Sequence, residues 1–132
     1  MNIVAIKKGL FSLGEGNFTQ PTTSQVKNTL KTFTERSGFD CPEGIEDLLL
    51  EIGYGVLKRK NKSNIYFFSP ADILNMSEEA GLNFFDLKLI PLADLMDNDF
   101  ICFDLSGKKF VIFNIADEII VDEKENITDL IG

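Results

Sequence analysis

IPLADLMDNDFICFDLSGKKFVIFN, residues 90–114, is the stretch that decides the fold. Its aliphatic and aromatic runs are broken by short polar turns, a pattern typical of consecutive β-strands. Together with the residues just before it, the stretch predicts three strands, LKLIPLA, DFICFDL and KKFVIFN, and Ser106 and Gly107 form the hairpin turn between the last two. Because DFICFDL has apolar side chains on both faces, we expect it to be a central strand that is covered at least partly on both sides.

Two helical patterns precede these strands. SQVKNTLKTFTERSG has apolar residues at helical spacing, with Thr23 or Ser24 as the candidate N-cap and Gly38 placed to end the helix. In CPEGIEDLLLEIGYG an aliphatic stripe predicts a second helix, for which Pro42 suits the first helical position and Gly53 the end. Each helix should therefore bury one face.

The other segments complete an α+β pattern. YGVLKRKNKSNIYFFSP predicts two strands joined by a polar turn, and the Ser-Pro that ends it opens a short helix, PADILNM. EIIVDE predicts a further strand, NITDLIG a short closing helix, NIVAI a first strand, and LGEGNFTQPTTS, residues 13–24, a loop. Helices followed by an antiparallel run predict a single α+β domain over residues 1–132, with a largely antiparallel central sheet and helices packed against it.

The composition is that of one soluble domain with an uneven charge. The 132 residues are 44% hydrophobic and 26% charged, and no apolar run is long enough for a membrane span or a signal peptide, so we expect a cytoplasmic protein without membrane contact. Residues 1–66 hold nine Lys or Arg against seven Asp or Glu, whereas residues 67–132 hold four against fourteen. The acidic half would repel phosphate backbones, which argues against direct nucleic-acid binding and favours a basic protein partner.

Several kinds of chemistry are excluded or lack their motifs. A chain without histidine has no Ser-His or Cys-His nucleophile and no imidazole metal ligand. The glycines in GLFSLGEG do not form a phosphate loop, because Glu15 stands where the loop needs a lysine. Cys41 and Cys102 match no metal or redox spacing and are expected to be buried free thiols. We therefore expect neither a cofactor nor a metal.

Carboxylates remain, and four of them lie among the apolar residues of the opening stretch: Asp94, Asp97, Asp99 and Asp104. A calcium loop is absent, because with Asp97 as the first ligand Ile101 and Cys102 occupy the fifth and sixth positions. A magnesium site and a catalytic carboxylate pair stay open as alternatives. We favour a solvated turn at Asp97–Asp99, since Asp and Asn hydrogen-bond their own backbones in turns.

Two further features have two interpretations each. The basic segment LKRKNKSN could contact nucleic acid, but a solubilising hairpin tip that protects a sheet edge is favoured in a chain this acidic. Tyr54, between two glycines after a predicted helix, is either a partner contact or a half-buried tyrosine with its hydroxyl in water.

The order of these segments resembles the SUKH superfamily of Smi/Knr-type proteins. CPEGIEDLLLEIGYG is similar to the family's first signature, IPLADLMDNDFICFDLSGKKFVIFN to its second, and ENITDLIG to its closing helix. The resemblance runs from about residue 24 to the end, so residues 1–23 form an N-terminal extension outside it. The chain departs from the family in having Cys41 where leucine is usual before the proline, and in lacking tryptophan.

The resemblance implies a single α+β domain without catalysis. Bacterial members are mostly immunity proteins that bind and neutralise a polymorphic toxin, often a nuclease, and eukaryotic relatives are regulatory interaction modules. We therefore predict a non-enzymatic immunity protein that binds a cognate toxin with a basic surface, with Tyr54, Asp94, Asp97 and Asp99 among the contacts. The alternatives are a regulatory interaction module without a toxin and, third, a carboxylate-metal enzyme.

Overall fold

The computed structural model describes residues 2–131, in which six helices accompany one seven-stranded sheet. The helices are α1 (Ile3–Ser12), α2 (Thr23–Ser37), α3 (Glu43–Ile52), α4 (Pro70–Ala80), α5 (Phe84–Leu87) and α6 (Ile127–Ile131). The strands are β1 (Gly14–Thr19), β2 (Tyr54–Arg59), β3 (Ile65–Phe67), β4 (Leu89–Asp94), β5 (Asp99–Asp104), β6 (Lys109–Asn114) and β7 (Ile119–Lys124). None of the helices in the described range has both the length and the apolar character needed to cross a membrane.

The sheet confirms the α+β prediction. Its strands lie side by side in the order of the sequence, and every neighbouring pair is antiparallel. Residues directly opposite each other point to the same face, so the register defines two rows of side chains. One row is Phe18, Gly55, Phe67, Ala93, Ile101 and Ile112. The row on the other face is Val56, Tyr66, Asp94, Phe100, Phe113 and Ile120.

The two central strands are buried on both faces, which the sequence predicted for β5. All residues of β4 from Leu89 to Ala93 and of β5 from Phe100 to Phe103 are buried. On the first face Phe11 of α1 packs against Phe18, with ring centroids 5.3 Å apart. On the second face Phe84 of α5 stacks on Phe100 at 6.1 Å. Helices therefore cover the sheet from both sides.

Helix α2 joins the helices to one another. Its Phe33 contacts Phe85 of α5 with ring centroids 4.4 Å apart, and the buried Thr29 hydroxyl donates a hydrogen bond of 3.0 Å to the Pro70 carbonyl at the start of α4. Its N-cap is Thr22 and neither of the two predicted caps, because Thr22 and Gln25 form a reciprocal capping box. It ends at Gly38, as predicted.

The N-terminal predictions were wrong. NIVAI belongs to helix α1, because the Asn2 side chain caps the first turn by accepting from the Ala5 N–H at 3.1 Å, and Ile6 and Leu10 are both buried on one helical face. The predicted loop at residues 13–24 contains β1, which pairs along its whole length with β2. Tertiary pairing overrides the low strand propensity of a glycine-rich segment.

Other boundaries differ by less. Pro42 is the N-cap of α3, one position before the predicted one, while Gly53 ends the helix as predicted. Helix α4 opens at Ser69 and Pro70 as predicted but continues past Met76 to Ala80. Helix α5 was not predicted, because four residues are too few to show a helical period.

The two cysteines are free, as predicted. Cys102 is fully buried in β5, whereas Cys41 is only half-buried, so the prediction of a buried thiol is confirmed for Cys102 alone. The Cys41 thiol lies 3.6 Å from the Leu30 carbonyl oxygen, to which it donates. Burial raises the pKa of the Cys102 thiol far above its usual value and raises the pKa of the Cys41 thiol less strongly.

We expect Gly53→Ala to lower the free energy of unfolding by about 3 kcal/mol or more, and Gly38→Ala by about 1 kcal/mol. Both glycines have a φ of 79°, but a Cβ at Gly53 would overlap the Thr19 carbonyl oxygen, whereas a Cβ at Gly38 would meet open space. Urea unfolding of the two variants measures the difference. Equal losses would contradict the close approach of β1 to Gly53.

The thiols should differ in reactivity. In native protein at pH 8 we expect Cys41 to react with an aromatic disulfide reagent before Cys102, because only the thiolate attacks and Cys102 is sealed in the core. The Cys41→Ser variant isolates Cys102, whose modification should require urea. Rapid modification of Cys102 in that variant without denaturant would refute the buried position of β5.

Candidate functional site: an acidic cleft beside the turn between β4 and β5

The turn between the two central strands has an unusual backbone. Met96, Asp97 and Asn98 have φ values of 75°, 54° and 66°. Asp and Asn tolerate this left-handed region better than other residues with a side chain, which explains why they follow the methionine. The turn is closed by hydrogen bonds from the Leu95 N–H to the Asp99 carbonyl at 2.9 Å and from the Asp99 N–H to the Met96 carbonyl at 3.1 Å. The predicted turn is confirmed, and it begins at Leu95.

The aspartates of this turn have different local roles. Asp94 stabilises the turn, since its Oδ1 accepts from the Met96 N–H at 2.7 Å. Asp99 holds the neighbouring strand, since its Oδ1 accepts from Asn114 Nδ2 at 2.9 Å. Asp97 is exposed at the tip, and its carboxylate accepts no hydrogen bond from residues 2–131. The Asp97 carboxylate is thus open to solvent and to a partner.

An open cleft of about 440 Å³ lies between this turn and the C-terminal end of α4. Its lining combines three carboxylates with apolar and small polar residues: Glu79, Asp94, Asp97, Phe68, Met76, Ala80, Met96, Asn98, Phe100 and Ile115. Phe68 and Phe100 contact each other edge to face at 5.3 Å and form the aromatic part of the wall. The lining of the cleft therefore mixes apolar side chains with three carboxylates.

The charge of the acidic cleft is not neutralised by neighbouring basic residues. In the part of the chain that the structure describes, the ion pairs are Lys27–Glu46 and Lys31–Glu35, which involve α2 and α3 rather than the cleft. Asp117 and Glu118 follow Ile115 of the lining and add further negative charge in the turn between β6 and β7. A cationic side chain would find favourable potential here.

The structure brings together only part of the predicted contact set. Asp94 and Asp97 line the acidic cleft, but Asp99 alternates with Phe100 along β5 and so points to the opposite face of the sheet. Tyr54 lines a separate depression of about 280 Å³ near the N-terminal end of α4. Tyr54 is half-buried, which agrees with the structural interpretation of this residue.

Asp104 also lies away from the cleft. Its Oδ1 accepts from the Ser106 N–H at 2.9 Å, and its carbonyl accepts from the Lys108 N–H at 2.7 Å. It therefore organises the predicted hairpin turn between β5 and β6.

Sequence reasoning missed Glu79, Phe68 and Met76 as members of the cleft. Glu79 belongs to the part of α4 beyond the predicted end, and only the full helix carries it to the turn. The glycine at position 81, which caps α4 in a left-handed conformation, was the signal that could have extended the helix.

Metal binding finds little support in the arrangement of the carboxylates. Across residues 2–131, no three His, Cys, Asp or Glu side chains are grouped so that they could hold a metal ion. Asp94 shares a face of the sheet with its partner Phe100, whereas Asp99 points to the opposite face, so two of the carboxylates that a magnesium site would need are separated.

A larger depression lies between α1 and α3 and has about 650 Å³. It is lined by Ile3, Val4, Lys7, Lys8, Phe11, Asp47, Leu50 and Glu51. Because two lysines stand with two carboxylates, its charge is balanced, and its size alone does not indicate a charged ligand. The lining of the acidic cleft carries negative charge alone and so favours a cationic ligand, and we regard it as the better candidate site.

Comparison with protein-family models, with curated proteins and with solved structures finds no significant match to this chain. The resemblance to the SUKH superfamily therefore stays a prediction that rests on the sequence segments themselves.

We expect Asp94→Ala to lower the free energy of unfolding by about 1 kcal/mol, because the Met96 N–H loses its acceptor. Asp94→Asn keeps an oxygen at the same place, and it should cost less than about 0.5 kcal/mol while it removes the charge. Chemical denaturation measures both. If Asn is as destabilising as Ala, the hydrogen bond is not what holds the turn.

Proposed function

We propose that this protein is a non-enzymatic immunity protein that binds a cognate toxin through the acidic cleft and blocks the toxin's active surface. The observation that carries the proposal is the cleft itself: Glu79, Asp94 and Asp97 line it together with apolar side chains, and among residues 2–131 none of the three has a basic neighbour in ion-pair contact. The resemblance of the sequence to the SUKH superfamily supports the same function.

The lining suits a lysine or arginine side chain of the partner. The aliphatic stem of such a side chain packs against Met76 and the ring of Phe68, and its charged end reaches the carboxylates of Asp94 or Glu79. Aromatic rings add attraction for a cation over their faces. An acidic residue from a partner would be repelled, so the cleft selects for the sign of the charge.

The charge of the whole chain favours the same partner. The net charge is −8, and the excess of carboxylates lies in residues 67–132. Every residue that lines the cleft belongs to this acidic half. A nuclease needs a basic surface to bind phosphates, so an acidic protein is attracted to that surface and covers it. Opposite potentials also speed the encounter of the two proteins.

Co-expression is the test of this function. The protein should co-purify in a fixed ratio with the toxin domain encoded by the neighbouring reading frame, and cells that produce both should grow where cells that produce the toxin alone do not. If the two proteins do not co-purify and growth is not restored, the immunity function is wrong.

Charge reversal at the cleft should slow association with that toxin. Glu79→Lys places a positive charge on the lining, and at low ionic strength we expect roughly a tenfold lower association rate constant. Glu78→Lys is the matched control, because it makes the same change on an exposed residue of the same helical turn that does not line the cleft. Stopped-flow fluorescence measures both rates at two salt concentrations.

A second variant tests the turn without inserting a new charge. Asp94→Asn with Asp97→Asn removes two charges and keeps residues that suit this turn. We expect weaker binding of the toxin with an unchanged melting temperature. If Glu79→Lys and Glu78→Lys slow association equally, and the double variant binds normally, the toxin binds elsewhere.

A further inference from the structure

Strand β7 is an uncovered edge of the sheet. It pairs with β6 alone among the described residues, and all six of its residues are exposed. An edge strand directs about half of its backbone N–H and C=O groups outward, where another strand can pair with them. The backbone of β7 is therefore free to accept one more strand.

The first half of β7 is apolar. Ile119, Ile120 and Val121 are 51%, 44% and 51% exposed, and they are consecutive, unlike the other large apolar residues exposed in the described chain. Ile120 continues the row of Phe100 and Phe113 on one face of the sheet. An added strand would cover part of this row, and β-branched residues favour such pairing.

Acidic residues stand on both sides of these three apolar residues. Asp117 and Glu118 precede them in the turn from β6, Asp122 and Glu123 follow them on the strand, and Lys124 is the basic residue at its end. In an antiparallel pair of two β7 strands that matches their apolar residues, centred on Ile120, Glu118 of the turn would lie near Asp122 of the other copy, so like charges would meet at both ends. Charge repulsion thus disfavours a second copy in the register that covers the apolar residues.

The opposite edge of the sheet does not supply the occupant either. Strand β1, GEGNFT, has one charged residue, Glu15, and its exposed residues include no large apolar side chain. Strand β1 therefore has neither basic residues to face the acidic residues beside β7 nor large apolar residues to cover Ile119–Val121. A strand from another protein fits better than β1 of a second copy.

We propose that β7 accepts an extended segment of a partner protein, with apolar residues at its centre and Lys or Arg at both ends, as an additional antiparallel strand. Ile112 of β6 pairs with Asp122 and Phe113 pairs with Ile120, so Val121 has no partner and forms a β-bulge. The bulge twists the edge and limits the paired segment to a few residues. The surface lies beside the turn that joins Ile115 of the acidic cleft to β7, but the inference holds for any partner with this chemistry.

The test uses the complete protein and a synthetic peptide, Lys-Lys-Thr-Val-Val-Val-Thr-Lys-Lys, with a control peptide in which Glu replaces every Lys. Amide exchange measured by NMR should slow about tenfold in β7 when the basic peptide is added, and exchange in β1 should not change. The acidic control peptide should have no effect. Because the assay contains no toxin, its failure is distinct from failure of the immunity function.

Charge exchange makes the test specific. Asp122→Lys with Glu123→Lys should lose the response to the basic peptide and gain one to the acidic peptide, whereas Glu15→Lys on β1 should behave as the unchanged protein. All three positions are exposed apart from their strand pairing, and the melting temperature verifies folding.

Several results would overturn the proposal. They are equal effects of both peptides, protection in β1 or the acidic cleft in place of β7, and no protection of β7 at millimolar peptide. Protection of β7 that rises with protein concentration in the absence of peptide would identify a second copy as the occupant and would also reject it.

Discussion

The burial of β4 and β5 on both faces is the constraint on which the rest of the structure depends. Phe100, Ile101, Cys102 and Phe103 are consecutive and buried, so helices must cover both sides of this strand. Burying each large apolar side chain contributes roughly 1.5–3 kcal/mol, which makes this pair of strands the main stabilising unit of the sheet. The outer strands and helices are arranged around it.

The same constraint supports the acidic cleft. The turn that carries Asp94 and Asp97 has a buried strand at each end, and the Ile115 N–H ties it to β6 by donating to the Asn98 carbonyl at 2.8 Å. The Asp94 carboxylate, which is held by the Met96 N–H, needs little ordering when a partner binds, so less of the binding free energy is lost. Core packing and proposed recognition are therefore linked through one turn.

Much of the secondary structure could be predicted from the sequence where the hydrophobic periodicity and the turn residues were clear. The central strands, the hairpin at Ser106 and the end of α2 at Gly38 all follow from local residues. The N-terminal segment could not be predicted, because β1 is a strand only through its pairing with β2. The cleft was predicted in part: Asp94 and Asp97 come from one turn, but Glu79 reaches them through tertiary packing, which sequence spacing does not report.

Amide hydrogen exchange of the free protein tests most directly whether the buried strands hold the turn. The Leu95 and Ile115 amides, which donate to the Asp99 and Asn98 carbonyls, should exchange nearly as slowly as those of Phe100–Phe103, and the outward amides of β7 should exchange near the rate of an unfolded peptide. Exchange at Leu95 and Ile115 as fast as in β7 would contradict a preformed cleft.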